Sequence, residues 1–235
     1  MPEDEGQHLQ SVYPPARYHG GPGRFGFDDG ARLTESSPLV TPANRERLLA
    51  EWGRYWSRDR AVLAEKSPPN IIRTRFLQAL FPEAAFVMMI RHPIAVAGAT
   101  RKWTRTSVES LIRHWLRCHD ILAEDATRIE RLHVVHYEHF VQDPAGEMRR
   151  ILSSLELDAT LGSRSVDADV NHRYFVSWKT GGSRLGRALR ERRVLRHEAA
   201  VNRFGYSLVD LDRLPPRGLL TADRFSGGVP APAPP

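Results

Sequence analysis

Two cations in this chain each follow a short apolar run and precede a proline: Lys66 in Glu65-Lys66-Ser67-Pro68-Pro69, and Arg91 in Arg91-His92-Pro93. An ammonium and a guanidinium held in proline-fixed loops are suited to binding an oxyanion, the first as a compact point charge and the second as a planar fork. One such cation is ordinarily a solvated loop charge. Two of them, after successive apolar runs, point to a phosphate or sulfate ester as ligand. Lysine is otherwise scarce, occurring only at Lys66, Lys102 and Lys179 in a chain rich in arginine. A lysine kept in such a background supports a need for a rotatable ammonium, though chance also leaves a few lysines anywhere.

The elements that must position these cations follow from the pattern between Ala61 and Trp103. Ala61-Val62-Leu63-Ala64 is read as a short strand that the prolines end. Asn70 is read as the N-cap of a helix whose apolar face is Ile71, Ile72, Phe76, Leu77 and Leu80, stopped at Phe81-Pro82. Ala85 to Ile90 is continuously apolar, the pattern of a strand buried on both faces. Ile94 to Lys102 is read as helical, with Pro93 in its first turn and its N-terminus free to face an anion beside Arg91. The result is a βαβ unit with parallel strands, and Glu65-Lys66-Ser67 and Arg91-His92 fall at neighbouring strand ends, where open α/β sheets bind ligands.

The remaining chain frames this unit. Residues 1 to 44 are loop-rich, with Tyr13, Tyr18, Phe25 and Phe27 as possible anchors and Glu3, Asp4 and Glu5 as a run of carboxylates. Thr41 or Asn44 begins a helix to about Trp56, and Thr106 with Glu109 forms a capping box for a long helix to about Arg131. His133 to Tyr137 is a further strand. His136 and Glu138 are read as strand-edge residues first and ligands second. Asp143-Pro144 caps a helix to about Leu155. Residues 158 to 183 are read as irregular, with Asn171-His172-Arg173-Tyr174 and Trp178 to Gly182 suited to a loop folding over a nucleotide. An arginine-rich helix from Arg184 to Arg203 follows, with Leu185, Leu189, Val194 and Leu195 as part of an apolar stripe, ended by Gly205.

Composition bounds the function. The net charge is +6, charged residues make up 26% and apolar ones 41%, as expected of a globular domain. The single cysteine, Cys118, cannot form an internal disulfide. No apolar run is long enough to span a membrane, and the acidic N-terminus is unlike a signal peptide, so an intracellular, cytoplasmic protein is expected. The basic helix is foremost a solvated face, and no nucleic-acid motif accompanies it. The histidines and the cysteine have no metal-ligand spacing, so no metal is expected.

At Glu65-Lys66-Ser67-Pro68, Arg91-His92-Pro93 and Val135-His136-Tyr137-Glu138 to Asp143-Pro144, the sequence resembles the P-loop-fold sulfotransferases over roughly residues 1 to 208. It is most similar to bacterial members and to the tyrosylprotein or heparan type. The resemblance implies an α/β, three-layer P-loop-like fold, with a central, mostly parallel sheet flanked by helices. It implies one domain over residues 1–212, followed by a disordered Pro/Gly/Ala-rich tail over 213–235. It further implies metal-free transfer of a sulfuryl group from 3′-phosphoadenosine 5′-phosphosulfate (PAPS) to a hydroxyl or amine. The acceptor would be a small molecule, a peptide or a glycan.

On the same resemblance, Arg91 binds the nucleotide's 3′-phosphate and Lys66 stabilises charge on the transferring group. Glu5, in preference to Glu3, is the general base, and the stretch containing Lys179 and Gly181 closes on the nucleotide. Two departures stand out. The family's serine eight residues after the arginine is Ala99 here, with Thr100 beside it. The family's first strand and 5′-phosphosulfate loop have no counterpart before Glu3, so an N-terminally truncated fold is expected, from a misplaced start or a lapsed paralogue. Losing about four charge-assisted donors removes on the order of 6 kcal/mol of nucleotide binding. The competing readings are a P-loop-like small-molecule kinase, which lacks its Walker lysine here, and a non-catalytic anion-binding or interaction protein.

Overall fold

A computed structural model describes residues 5–57, 62–157 and 166–218. Its helices and strands begin with α1 (Pro42–Trp52), α2 (Thr74–Leu80), β1 (Phe86–Ile90), α3 (Pro93–Thr100) and α4 (Val108–Ala126). They continue with β2 (Leu132–His136), α5 (Tyr137–Gln142), α6 (Pro144–Ser154), α7 (Val170–Thr180), α8 (Arg184–Val194) and α9 (Glu198–Asn202). The fold is α/β with a parallel sheet. The chain divides into two compact units, one of Met1–Ala84 with Arg117–Ile129 and one of Ala85–Leu116 with Glu130–Pro235.

In the first unit, the described residues before α1 form only short 3-10 turns, such as Gly6–His8 and Ala16–His19. Side chains supply the bonds that a sheet would otherwise give this segment. The guanidinium of Arg73, 1% exposed, donates from Nε to the Ala31 carbonyl at 2.9 Å and from Nη2 to the Pro14 carbonyl at 3.1 Å. Its charge lies over the Tyr13 ring, and Tyr13 packs edge-on against Phe76. A buried guanidinium is costly unless bonded in this way, so Arg73 fixes both loops at once. Ala16, Phe25, Ala31 and Ile72 pack with Cys118 and Ile121 of α4 as the apolar core. Tyr13 and Phe25 are thus anchors as expected, while Tyr18 and Phe27 are exposed. α1 begins at the Thr41 cap and ends at Trp52, one turn before the expected Trp56.

The expected first strand is not formed. Residues 62–67 have no regular structure, Val62 and Leu63 are half exposed, and Ala61 lies outside the described residues. A four-residue apolar run becomes a strand only by finding a partner, and none pairs with it among the described residues. The helix expected from Asn70 is also divided, with a 3-10 turn at Pro68–Ile72 and α2 beginning after Arg73.

In the second unit, β1 does lie in a parallel pair, but its partner is β2, in a register from Phe86 opposite Leu132 to Ile90 opposite His136. Among the described residues this sheet has two strands. β1 is buried on one face only, since Phe86 and Ile90 are buried while Val87 and Met89 are about half exposed. α4 starts one residue later than the expected Thr106 cap, with the Ser107 hydroxyl accepting the Ser110 N–H at 3.2 Å. The segment read as irregular contains α7, whose Val170, Tyr174, Phe175 and Trp178 recur at helical spacing. The arginine-rich segment is α8, a 3-10 turn and α9, ended near Gly205 at φ +81. Of its expected apolar stripe Val194 is buried, whereas Leu185, Leu189 and Leu195 are exposed. The expected tail lies mostly outside the described residues, and of its first part the Pro215 carbonyl accepts from His139 at 2.7 Å.

Candidate functional site

The first group of site residues lies in the first unit, where the turn after Glu5 docks on the loop of Lys66. Gln7, 4% exposed, organises the approach. Its backbone N–H donates to the Ser67 hydroxyl at 2.9 Å, its amide oxygen accepts the Ala16 N–H at 2.8 Å, and its amide nitrogen donates to the Glu5 carboxylate. The Trp52 indole holds the Gly6 carbonyl at 2.9 Å. These bonds leave a Glu5 oxygen 3.6 Å from the Lys66 ammonium, whose side chain is 73% exposed. An exposed ion pair of this kind adds about 1 kcal/mol or less to stability, so this lysine is free to serve chemistry.

Glu65, grouped with Lys66 and Ser67 in the sequence but given no role there, hydrogen-bonds within the same loop. Its carboxylate accepts the Ser67 hydroxyl at 2.5 Å and the Asn70 amide, and its side chain occupies the space that a β-carbon on Gly6 would fill. Burial pushes its carboxyl above the usual range, opposed by the hydrogen bonds from Ser67 and Asn70, while the neighbouring Glu5 adds to the rise. The three acidic and basic groups therefore differ in kind: a part-buried carboxyl held by Ser67 and Asn70, a part-buried carboxylate and an open ammonium.

The second group, in the second unit, is built around Arg91 at the end of β1. Its Nε donates to Asn171 Oδ1 at 2.7 Å, and its guanidinium lies 4.3 Å from the centroid of the Tyr137 ring and 5.5 Å from that of Tyr174. Its Nη2 is buried with no hydrogen-bond partner. Asn171 is fixed in turn, donating to Glu138 Oε1 at 2.7 Å. The Tyr206 hydroxyl donates to Glu138 Oε2 at 2.7 Å, and its own ionisation is pushed up by burial first and Glu138 second, so it stays a donor.

The N-terminus of α3 is not left open for an outside anion, as the sequence suggests. The His92 N–H donates to Glu138 Oε1 at 3.0 Å, and His92 Nδ1 accepts the Ile94 N–H at 3.2 Å. His92 Nε2 donates to the Ser207 carbonyl at 2.9 Å. These bonds require the neutral ring, and burial lowers its affinity for a second proton. The anion beside this helix end is the protein's own Glu138.

The structure thus brings Glu5 and Lys66 together and gives Arg91 a rigid seat. Glu3 lies outside the described residues. Ala99, on α3, offers no side-chain donor, and the Thr100 hydroxyl is committed to the Val96 carbonyl at 2.8 Å. Lys179 is an exposed residue in the last turn of α7. Gly181 caps that helix, and its carbonyl accepts from Arg190 at 3.3 Å, so both are part of a helix end and not of a long covering loop. Glu138, read from sequence as a strand-edge residue first and a ligand second, is a buried residue of α5, and Asn171, read as part of a loop over the nucleotide, lies on α7. Their link to each other and to Tyr206 is not legible in the sequence. The one local signal was a carboxylate directly after an apolar run.

The chain matches the family model described as the sulfotransferase family over residues 6–160, more than half of its length. No curated protein and no solved structure matches it.

Proposed function

Because this chain belongs to the sulfotransferase family, a family of sulfuryl transferases, we propose that it takes its sulfuryl group from PAPS and passes it to a hydroxyl or amine. The observation that carries the donor assignment is the buried, unpartnered Nη2 of Arg91 on a guanidinium already fixed by Asn171 and flanked by two tyrosine rings. A buried N–H without a partner costs about 1–3 kcal/mol, and an oxyanion removes that cost. Arg91 is therefore assigned to the 3′-phosphate. With its hydroxyl given to Val96, Thr100 is not assigned to it.

The chemistry falls to the Glu5–Lys66 pair. The acceptor's oxygen or nitrogen bonds to sulfur, and the S–O bond to the 5′-phosphate breaks with its electron pair leaving on the phosphate oxygen. The acceptor's proton passes to the Glu5 carboxylate, which Gln7 orients from the side away from Lys66. The Lys66 ammonium stabilises the charge that builds on the leaving oxygen. Calorimetric titration of adenosine 3′,5′-bisphosphate tests the reading. Micromolar binding by the wild-type chain, lost in Arg91→Ala, supports it, and no binding by a folded chain overturns it.

A further inference from the structure

The second unit also contains a cleft of about 430 Å³ bordered by α3, α7 and α8. Its charge has one sign. Arg101, Lys102, Arg173 and Arg190 line it, with Tyr174 and Trp178, and no lining residue is acidic. Arg101 and Lys102 directly follow α3, where cations suit the helix dipole, but that does not account for an arginine arriving from α8.

Arg190 is fixed in place. It donates to the carbonyls of Trp178 and Gly181 and lies 4.3 Å from the centroid of the Trp178 ring, while its Nε is buried without a partner. Burial, and after it the repulsion of Arg101 and Arg187, weakens its hold on its proton, against an opposing Glu191 on the same helix. Arg173 has Asp167 at 2.7 Å. No carboxylate among the described residues pairs with Arg101 or Lys102 in an ion pair. Lys102 instead lies 5.6 Å from the centroid of the Tyr174 ring. Gly98 makes the wall possible, since a β-carbon there would meet Tyr174 Cδ1 at 2.5 Å.

Like charges gathered around a concavity, one of them immobilised with a spare donor, hold an oxyanion better than they hold each other. We infer that this cleft binds a sulfate or phosphate ester group carried by the acceptor. The cleft has room for more than the ester group itself. Arg91, Thr100, Lys179 and Gly181 do not line it, while Tyr174 borders the cleft and also flanks Arg91, so the cleft adjoins the residue assigned to the donor nucleotide and presents its own set of cations. The acceptor role rests on the proposed function, while the anion site rests on the cleft.

The test is a titration of 4-nitrophenyl sulfate into the full chain, with and without saturating adenosine 3′,5′-bisphosphate. The ester is expected to bind in both cases. Arg101→Glu and Arg190→Gln are each expected to weaken ester binding about tenfold or more and nucleotide binding less than about threefold. Arg101 is exposed, so its substitution leaves the melting temperature in place and separates charge from folding. Competition between nucleotide and ester, with equal losses in Arg101→Glu, would assign the cleft to the donor's phosphate and overturn the inference. Ester affinity that is absent, or indifferent to both substitutions, also overturns it. Ester binding by a folded chain that ignores the nucleotide removes the acceptor role, because the sulfotransferase reading then fails by itself.

Discussion

Asn171 is the link between Arg91 and the buried carboxylate of Glu138: its amide oxygen takes the Arg91 Nε–H at 2.7 Å, and its amide nitrogen gives to Glu138 Oε1 at 2.7 Å. A guanidinium at a strand end would otherwise sample many rotamers. Replacing Asn171 by alanine should lower the affinity for adenosine 3′,5′-bisphosphate about tenfold, by releasing Arg91, and destabilise the fold by about 1–3 kcal/mol, by taking a donor from Glu138. Calorimetry well below the melting temperature separates the two effects. Unchanged nucleotide affinity would mean that Asn171 serves only packing.

Lys66 is exposed and its ion pair with Glu5 is solvated, so stability does not depend on it. Lys66→Ala is expected to slow sulfate release from radiolabelled donor by about 10²–10³-fold, with melting temperature and nucleotide affinity nearly unchanged. A variant with wild-type turnover would remove Lys66 from the chemistry.

Gly6 lacks a side chain where Glu65 requires the room. Gly6→Ala must push the Glu65 carboxylate away from Ser67 and Asn70, and it should cost about 1–3 kcal/mol in denaturant unfolding. The same displacement disturbs Glu5 and so lowers turnover, which Ala at a glycine without such a neighbour would not do. Equal stability of wild type and variant would refute the packing argument.

Acid should weaken the fold through histidines that burial keeps neutral. Burial lowers His136 from 6.5 to about 4, with His139 adding to the effect, and burial alone lowers His114 to about 4. The unfolded chain takes up these protons first. Stability is therefore full above about pH 6.5 and falls as pH drops towards 4, by roughly 3 kcal/mol for each group at the acid end. Urea midpoints measured across this range check the slope, and His136→Gln should make it shallower.

Some elements are legible in local sequence alone. Asp143-Pro144 does begin α6, with Asp143 Oδ1 accepting the Gly146 N–H, and the apolar run near Val135 is a strand. Val62 and Leu63 misled because apolar character says nothing about whether a pairing partner exists. Val170, Tyr174, Phe175 and Trp178 were hidden as a helix by the cations and glycines around them. The meeting of Glu5 with Lys66 was suggested by family resemblance, since no local pattern encodes it. The path from Tyr206 through Glu138 and Asn171 to Arg91 joins residues far apart in sequence, and only the folded chain displays it.

The same path sets an order on synthesis. β1 and β2 leave the ribosome well before Tyr206 and Ser207, yet Glu138 and His92 depend on those two late residues for a donor and an acceptor. A nascent chain stopped short of Tyr206 holds a half-built sheet around a carboxylate and an imidazole with unmet bonds, in a topology of distant contacts that closes slowly. The second unit therefore completes only once Tyr206 and Ser207 have been made, and until then it stays open to proteases and chaperones.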